Sequence, residues 1–302
     1  MSLTHSHDSN PKQLSPDSGT IQLLKGGALV KTSLGFIQYG IPPETLKDSM
    51  KMGFSVPEYY IIPDKTFDWN DGISLMEFEF PVYYNFFLRK QNKTKLICDA
   101  KTGQNIKSIF QETLLGPKDL SNLAADFVPG YRAAPDLRKE LDYFARNPFV
   151  PGKKYEFGDF VELFILNDNG FVNIEKVVEE KPVKVTIQKT ETEFIVSEGG
   201  AELGRINDNL KLNQNNFYVV ETLGQESFEL FKPPMFGFTA LGNSHGFDMC
   251  GSTTGFIIWI NQKGIMVDPP PYSSLALREQ GIPANFIEKI IITNCHADHD
   301  AG

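Results

Sequence analysis

The stretch GFIIWINQKGIMVDPPPYSSLALREQGIPANFIEKIIITNCHADHDAG (residues 255–302) decides how the chain is read. GFIIWI and GIMVD are β-branched runs on either side of a short turn at residues 261–264, which predicts a hairpin, and Asp268 ends its second strand. SLALREQG reads as a helix closed by Gly281. IPANFIEKIIITN supplies a short turn and then a strand expected to be buried. Where that apolar run stops, Asn294, Cys295, His296, Asp298, His299 and Asp300 follow at once. A polar cluster at the C-terminal end of a strand is where α/β architectures place ligands.

His296, Asp298 and His299 are the only dense set of metal-ligating side chains in the sequence. Imidazole and carboxylate within four residues suit a borderline divalent ion such as zinc. Cys295 alternates with His296 and is expected to face away from it. GNSHG and CGSTTG (residues 242–246 and 250–255) are rich in glycine but lack P-loop spacing.

Upstream the grammar differs. IQLLKGGALVKTSLGFIQYGI (21–41) predicts two or three short strands, and Pro42–Pro43 with Gly53 bracket a short helix over residues 44–51. Over residues 73–80 the phases Ile73, Leu75, Glu77, Glu79 and Met76, Phe78, Phe80 alternate as on a strand with one apolar face. Its acids read as the solvated face, and the aromatics Tyr83, Tyr84, Phe86 and Phe87 read as core rather than a ligand platform. Ile106, Ile109, Phe110 and Leu114, then Leu137, Leu141, Phe144 and Ala145, predict two amphipathic helices. From residue 151 to about 231 a β-meander is expected, with Asp168-Asn169-Gly170 and Glu198-Gly199-Gly200 as hairpin turns. Pro233–Pro234 is the strongest linker signal. The resulting division is a flexible tail (1–19), an α+β domain (20–232) and a further domain from residue 235.

Lys and Arg number 29 against 38 Asp and Glu, a net charge of -9, and no basic block interrupts this balance, so double-stranded nucleic acid is a poor partner. The first residues have neither a basic nor an apolar signal region, and no run is long enough for a membrane span. Three cysteines, Cys98, Cys250 and Cys295, without framework spacing suit free thiols and a cytoplasmic protein. His5 and His7 read as part of the tail, and the Asn92 sequon carries no weight without a secretory signal.

GNSHGFDMCGSTTGFIIWINQKGIMVDPP (242–270) followed by IEKIIITNCHADHDAG (287–302) resembles the opening of the metallo-β-lactamase fold superfamily, nearest in style to its phosphodiesterase and ribonuclease Z-like members. The resemblance covers residues 235–302 and implies the first part of an αββα sandwich. The family's HxHxDH signature is here NCHADH, with Asn294 at the first histidine position, a weak neutral donor that weakens the first metal site. The resemblance implies zinc or a similar divalent transition metal, one or two ions, with His296 on the first and Asp298 and His299 on the second. Asp298 is the catalytic candidate. Asp268 matches the strand-terminal aspartate that orients the loop, while His245, on the Gly-rich loop, and Asp300 are candidates for support or substrate contact. The implied activity is hydrolysis of a small phosphodiester such as a cyclic nucleotide. The alternative is a non-catalytic metal-binding or regulatory protein that retains the fold. Family members place further histidines and a bridging aspartate later in the chain, so these 302 residues alone are expected to be a poor enzyme, and an oligomer is left open as a partner class.

Overall fold

The computed structural model describes residues 19–64, 67–68, 73–74, 77–89, 91–120, 136–208, 231–294 and 296–302. Expectations for the N-terminal tail, for Leu75, Met76 and Cys295, and for the strands expected over most of 215–231 lie outside the described residues.

The chain opens with β1 (Thr20–Gln22), β2 (Ala28–Thr32) and β3 (Gly35–Tyr39), an antiparallel meander, then α1 (Thr45–Lys51) and β4 (Tyr59–Ile61). Two short strands, β5 (Phe67–Asp68) and β6 (Ile73–Ser74), pair with each other. They precede α2 (Glu79–Tyr83), which continues into a π-helical turn at Tyr84–Leu88. β7 (Thr94–Cys98), α3 (Ala100–Phe110), α4 (Leu137–Phe144), α5 (Phe157–Phe160) and β8 (Val161–Ile165) follow. A six-stranded sheet results, in the order β1-β2-β3-β4-β7-β8, with β3, β4, β7 and β8 parallel.

β9 (Phe171–Val178), β10 (Lys181–Lys189), β11 (Glu193–Glu198) and β12 (Ala201–Asn207) form an antiparallel meander. It lies on one face of the first sheet, where Ala28, Val30, Tyr59, Ile61 and Ile97 meet Ile174, Val185, Phe194 and Val196. The other face carries helices: Tyr60, Ile62, Leu96 and Cys98 pack on Val82, Phe86, Ile106, Phe110 and Phe160. Side chains alternating along each parallel strand thus enter two different cores, which is why these strands are apolar on both faces.

The expected meander and the helix after Pro43 are present, with corrections elsewhere. Residues 79–83 are helical, because Glu79 and Pro81 occupy the first turn of α2, where an acid and a proline suit a helix start. Glu77 and Glu79 are buried, at 4% and 8% exposure, and so are not a solvated face. Phe86 is core as expected, but Phe87 is exposed. α4 buries none of its residues, and Phe144 is 76% exposed. The Asp168–Gly170 turn passes the chain from one sheet to the other, whereas Gly199–Gly200 closes the β11–β12 hairpin as expected.

The last sheet holds β13 (Phe236–Gly242), β14 (Gly255–Ile260), β15 (Lys263–Val267) and β16 (Ile287–Ile291) in that order, antiparallel except for the β15–β16 pair. Asn261 and Gln262, both with positive φ, make the tight hairpin turn. α6 (Ser273–Glu279) crosses over between β15 and β16, and Leu277 packs with Ile257, Trp259 and Met266 beneath it. A mixed sheet with a helix on one face is the arrangement of one half of an αββα-type sandwich. β16 was expected to be buried. Ile290 is instead 60% exposed, and Phe236 and Phe238 of β13 are exposed too, since β16 and β13 are the two edge strands of the sheet. α7 (Ala297–Asp300) ends the chain.

The hairpin-to-strand unit occurs twice at one constant offset. β2 and β3 correspond to the paired stretches of β14 and β15, Pro42–Pro43 to Pro270–Pro271, and α1 to α6 residue for residue. The residue before each helix is left-handed, Glu44 at φ 69° and Tyr272 at φ 64°, and each helix ends at a positive-φ glycine, Gly53 and Gly281. The closing hydrogen bonds match as well: Gly53 N to Met50 O at 3.0 Å and Gly281 N to Arg278 O at 3.0 Å, then Phe54 N to Ser49 O at 2.9 Å and Ile282 N to Leu277 O at 2.8 Å.

Candidate functional site

The site begins where β15 ends. Asp268 takes a left-handed conformation, φ 48°, which Asp tolerates better than most residues. Its N–H donates to Ile291 O at 2.9 Å and so ties the ends of β15 and β16 together. Its buried carboxylate accepts from the Thr293 N–H and the Thr293 hydroxyl, each at 2.7 Å, and its Oδ2 lies 3.1 Å from His299 Nδ1. Burial pushes this carboxyl up, but the Thr293 hydrogen bonds and the His299 imidazole outweigh it and hold the group below the usual carboxylate range.

On the far side of the imidazole, His299 Nε2 is 3.5 Å from Asp298 Oδ2. Two ligands of a tetrahedral zinc ion, each bound at about 2.1 Å, stand about 3.4 Å apart. This pair therefore matches one edge of such a site, with the opposite imidazole nitrogen on a carboxylate, as is usual for metal-binding histidines. Among the described residues, no group of three or more His, Cys, Asp or Glu side chains converges on a metal position. His296 is the residue not brought in. It caps α7 in an extended conformation, its carbonyl accepts from the His299 and Asp300 N–H groups, and its ring stands edge-on to Tyr83 with centroids 6.0 Å apart.

The remaining candidates are spread around this pair. Asn294 is exposed, and its side-chain amide lies 3.1 Å from the Thr293 hydroxyl oxygen, whose proton goes to Asp268. Asp300 is exposed at the end of α7. Exposed His245 accepts the Phe247 N–H on Nδ1 at 3.2 Å, which makes it a brace of its own loop. That loop is held from the N-terminal side, where Lys47 Nζ donates to Gly251 O at 2.8 Å and Phe80 meets Phe247 edge-on at 5.3 Å.

Sequence reasoning missed three residues here. Thr293 fixes Asp268. Glu79 and Tyr83, from α2, face His296 and α7. Glu79 Oε2 accepts a long hydrogen bond, 3.4 Å, from the Ala297 N–H, and burial pushes its carboxyl up while the His296 imidazole acts against that shift. Tyr83 is pushed up by burial and by the charges of Glu79 and Asp298. The signal that could have found them is a helix-starting Glu and Pro81 inside an apparent strand.

No family model matches the chain. It is 28% identical, over an alignment of 414 positions, to the cGMP-dependent 3',5'-cGMP phosphodiesterase A of Dictyostelium discoideum, covering 96% of this chain and 46% of that protein. It is 32% identical, over 314 positions, to the cAMP/cGMP-dependent 3',5'-cAMP/cGMP phosphodiesterase B of the same organism, covering 88% of this chain and 28% of that protein. The chain spans less than half the length of either relative. The likeness is a remote homology to cyclic-nucleotide phosphodiesterases, and it takes in nearly all of this chain, the N-terminal sheets included. No helix among the described residues is long and apolar enough to cross a membrane.

Proposed function

We propose that the chain is part of a metal-dependent phosphodiesterase acting on a small 3',5'-cyclic nucleotide. The observation that carries this reading is the line Thr293–Asp268–His299–Asp298 at the end of the last sheet, in a chain homologous to two cyclic-nucleotide phosphodiesterases.

In this reading Asp298 and His299 hold the ion. Asp268, with Oδ2 3.1 Å from Nδ1, would orient the His299 ring and leave Nε2 to the ion. Thr293 holds Asp268 through both of its polar groups, so the orientation is set before any ligand arrives. His296 would join after a rotation of its ring away from Tyr83. When bound, the ion supplies Lewis-acid stabilisation of the charge that builds on the phosphoryl oxygens.

The test is zinc titration by calorimetry together with hydrolysis of 3',5'-cGMP and 3',5'-cAMP in a preparation extended to the length of the relatives. Asp298→Ala and His299→Ala should each abolish stoichiometric zinc and lower turnover by at least about a hundredfold. Asp268→Asn should weaken zinc by about 10- to 100-fold. Turnover that survives both alanine variants, or zinc bound equally well by them, overturns the assignment. Zinc bound without turnover would select the non-catalytic alternative.

A further inference from the structure

The duplicated unit extends beyond its strands. After β4 and after β16 the chain reaches a short helix, α2 and α7, whose preceding residues are Phe78 and His296. The constant offset is not kept here, since 17 residues lie between β4 and α2 and five between β16 and α7; with helix set on helix instead, Asp298 falls opposite Phe80 and His299 opposite Pro81, so α2 carries no donor at these positions. The residue of α2 that corresponds to Ala297 is Glu79, and it is the Ala297 N–H that the Glu79 carboxylate accepts.

The two copies meet at a second place too. Tyr272, the left-handed residue of the second copy, donates its hydroxyl to Pro43 O at 2.9 Å, beside Glu44, the left-handed residue of the first. Between these contacts lies an apolar seam in which Leu46, Val56 and Phe80 pack with Phe247 and Ala297.

We propose that α2 of the first copy serves as a wall of the second copy's site, and that Glu79 is a positioning residue that holds His296 and α7. Glu79 is 8% exposed, starts a helix that is itself anchored in a core through Val82, and reaches the other copy at the residue next to His296. Tyr83, one turn further on, supplies the ring against which His296 stands. The assignment of Glu79 rests on the metal reading only where metal affinity is measured.

The experiment compares Glu79→Ala and Glu79→Gln with the unaltered 302-residue chain by NMR contacts between the His296 and Tyr83 rings and by cobalt titration followed in the visible spectrum. Glu79→Ala is expected to lose the ring contact and to bind cobalt about 10- to 100-fold more weakly. Glu79→Gln keeps an acceptor without the charge and should recover only part of both. A folded Glu79→Ala chain with ring contact and affinity unchanged overturns the proposal. Should Glu79→Ala fail to fold, Glu79→Gln decides: ring contact and affinity both unchanged overturn it, and a weakened contact supports it. An unaltered chain that binds no cobalt counts against the metal reading, and the ring contact still decides for or against Glu79.

Discussion

Asp48 shows how far a single buried side chain can depart from solution behaviour. It lies in α1 at 1% exposure, and its Oδ2 accepts the Lys25 N–H at 2.5 Å. Burial pushes its pKa up from 3.8 to about 6, against the lowering effect of that hydrogen bond and of Lys25 and Lys51. Below pH 4 the group is protonated in both folded and unfolded chains and contributes its full share of stability. Between about pH 4 and 6 only the unfolded chain ionises, so the contribution is lost as pH rises through the folded-state value. A shift of this size corresponds to about 3 kcal/mol. Asp48→Asn keeps the acceptor and removes the titration. Urea denaturation from pH 4 to 7 should show a loss in the original chain that is smaller by about this amount in the variant, the remainder belonging to other buried carboxyls such as Glu77 and Glu79, which burial also pushes up. Parallel profiles would show that Asp48 ionises at its ordinary pH in the fold.

The elements follow local rules where one core decides them. α1 and α6 are both seven residues long because a Pro-Pro turn starts each and a positive-φ glycine stops each. At Gly53 no atom lies within 4 Å of where a Cβ would be, so an added methyl meets only backbone strain at φ 74°. Gly53→Ala and Gly281→Ala should each lower stability by about 1–2 kcal/mol, readable in the urea midpoint with an unchanged slope. An unchanged midpoint would mean that the helix end shifts to relieve the strain. The β14–β15 hairpin and the helix after Pro43 were legible for the same reason: their periodicity and punctuation act over fewer than ten residues. Glu79 and Phe80 were misread because an alternating run can also begin a helix, and only the core containing Val82 and Phe86 chooses between them.

Across the whole molecule, the buried polar seam is the feature with the largest expected effect. Lys47, 3% exposed, pairs with Glu44 at 2.8 Å and donates to Gly251 O at 2.8 Å, while Glu77 Oε2 accepts the Glu44 N–H at 2.9 Å. Lys47→Ala leaves Glu44 and the Gly251 carbonyl short of a partner in a seam nearly closed to water. It should destabilise the chain by about 3 kcal/mol. Because the seam joins the two copies, unfolding followed by Trp fluorescence in a Trp69→Phe background, where Trp259 in the second copy's core is the one tryptophan left, should separate from unfolding followed by far-UV circular dichroism. A small loss with coincident transitions would show that the apolar contacts alone join the copies.

The local sequence determined the short helices, the hairpins and the placement of His296, Asp298 and His299 at the end of a strand, since these follow from spacing of 2 or 3.6 residues and from turn chemistry. Only the tertiary structure decided that Asp268 and Thr293 hold His299, that His296 turns to Tyr83, and that Glu79 reaches Ala297. The physical reason is range. Asp268 and Thr293 are brought together by the parallel pairing of β15 and β16, and Glu79 and Ala297 by the packing of two similar units whose likeness lies in the spacing of prolines, glycines and left-handed residues.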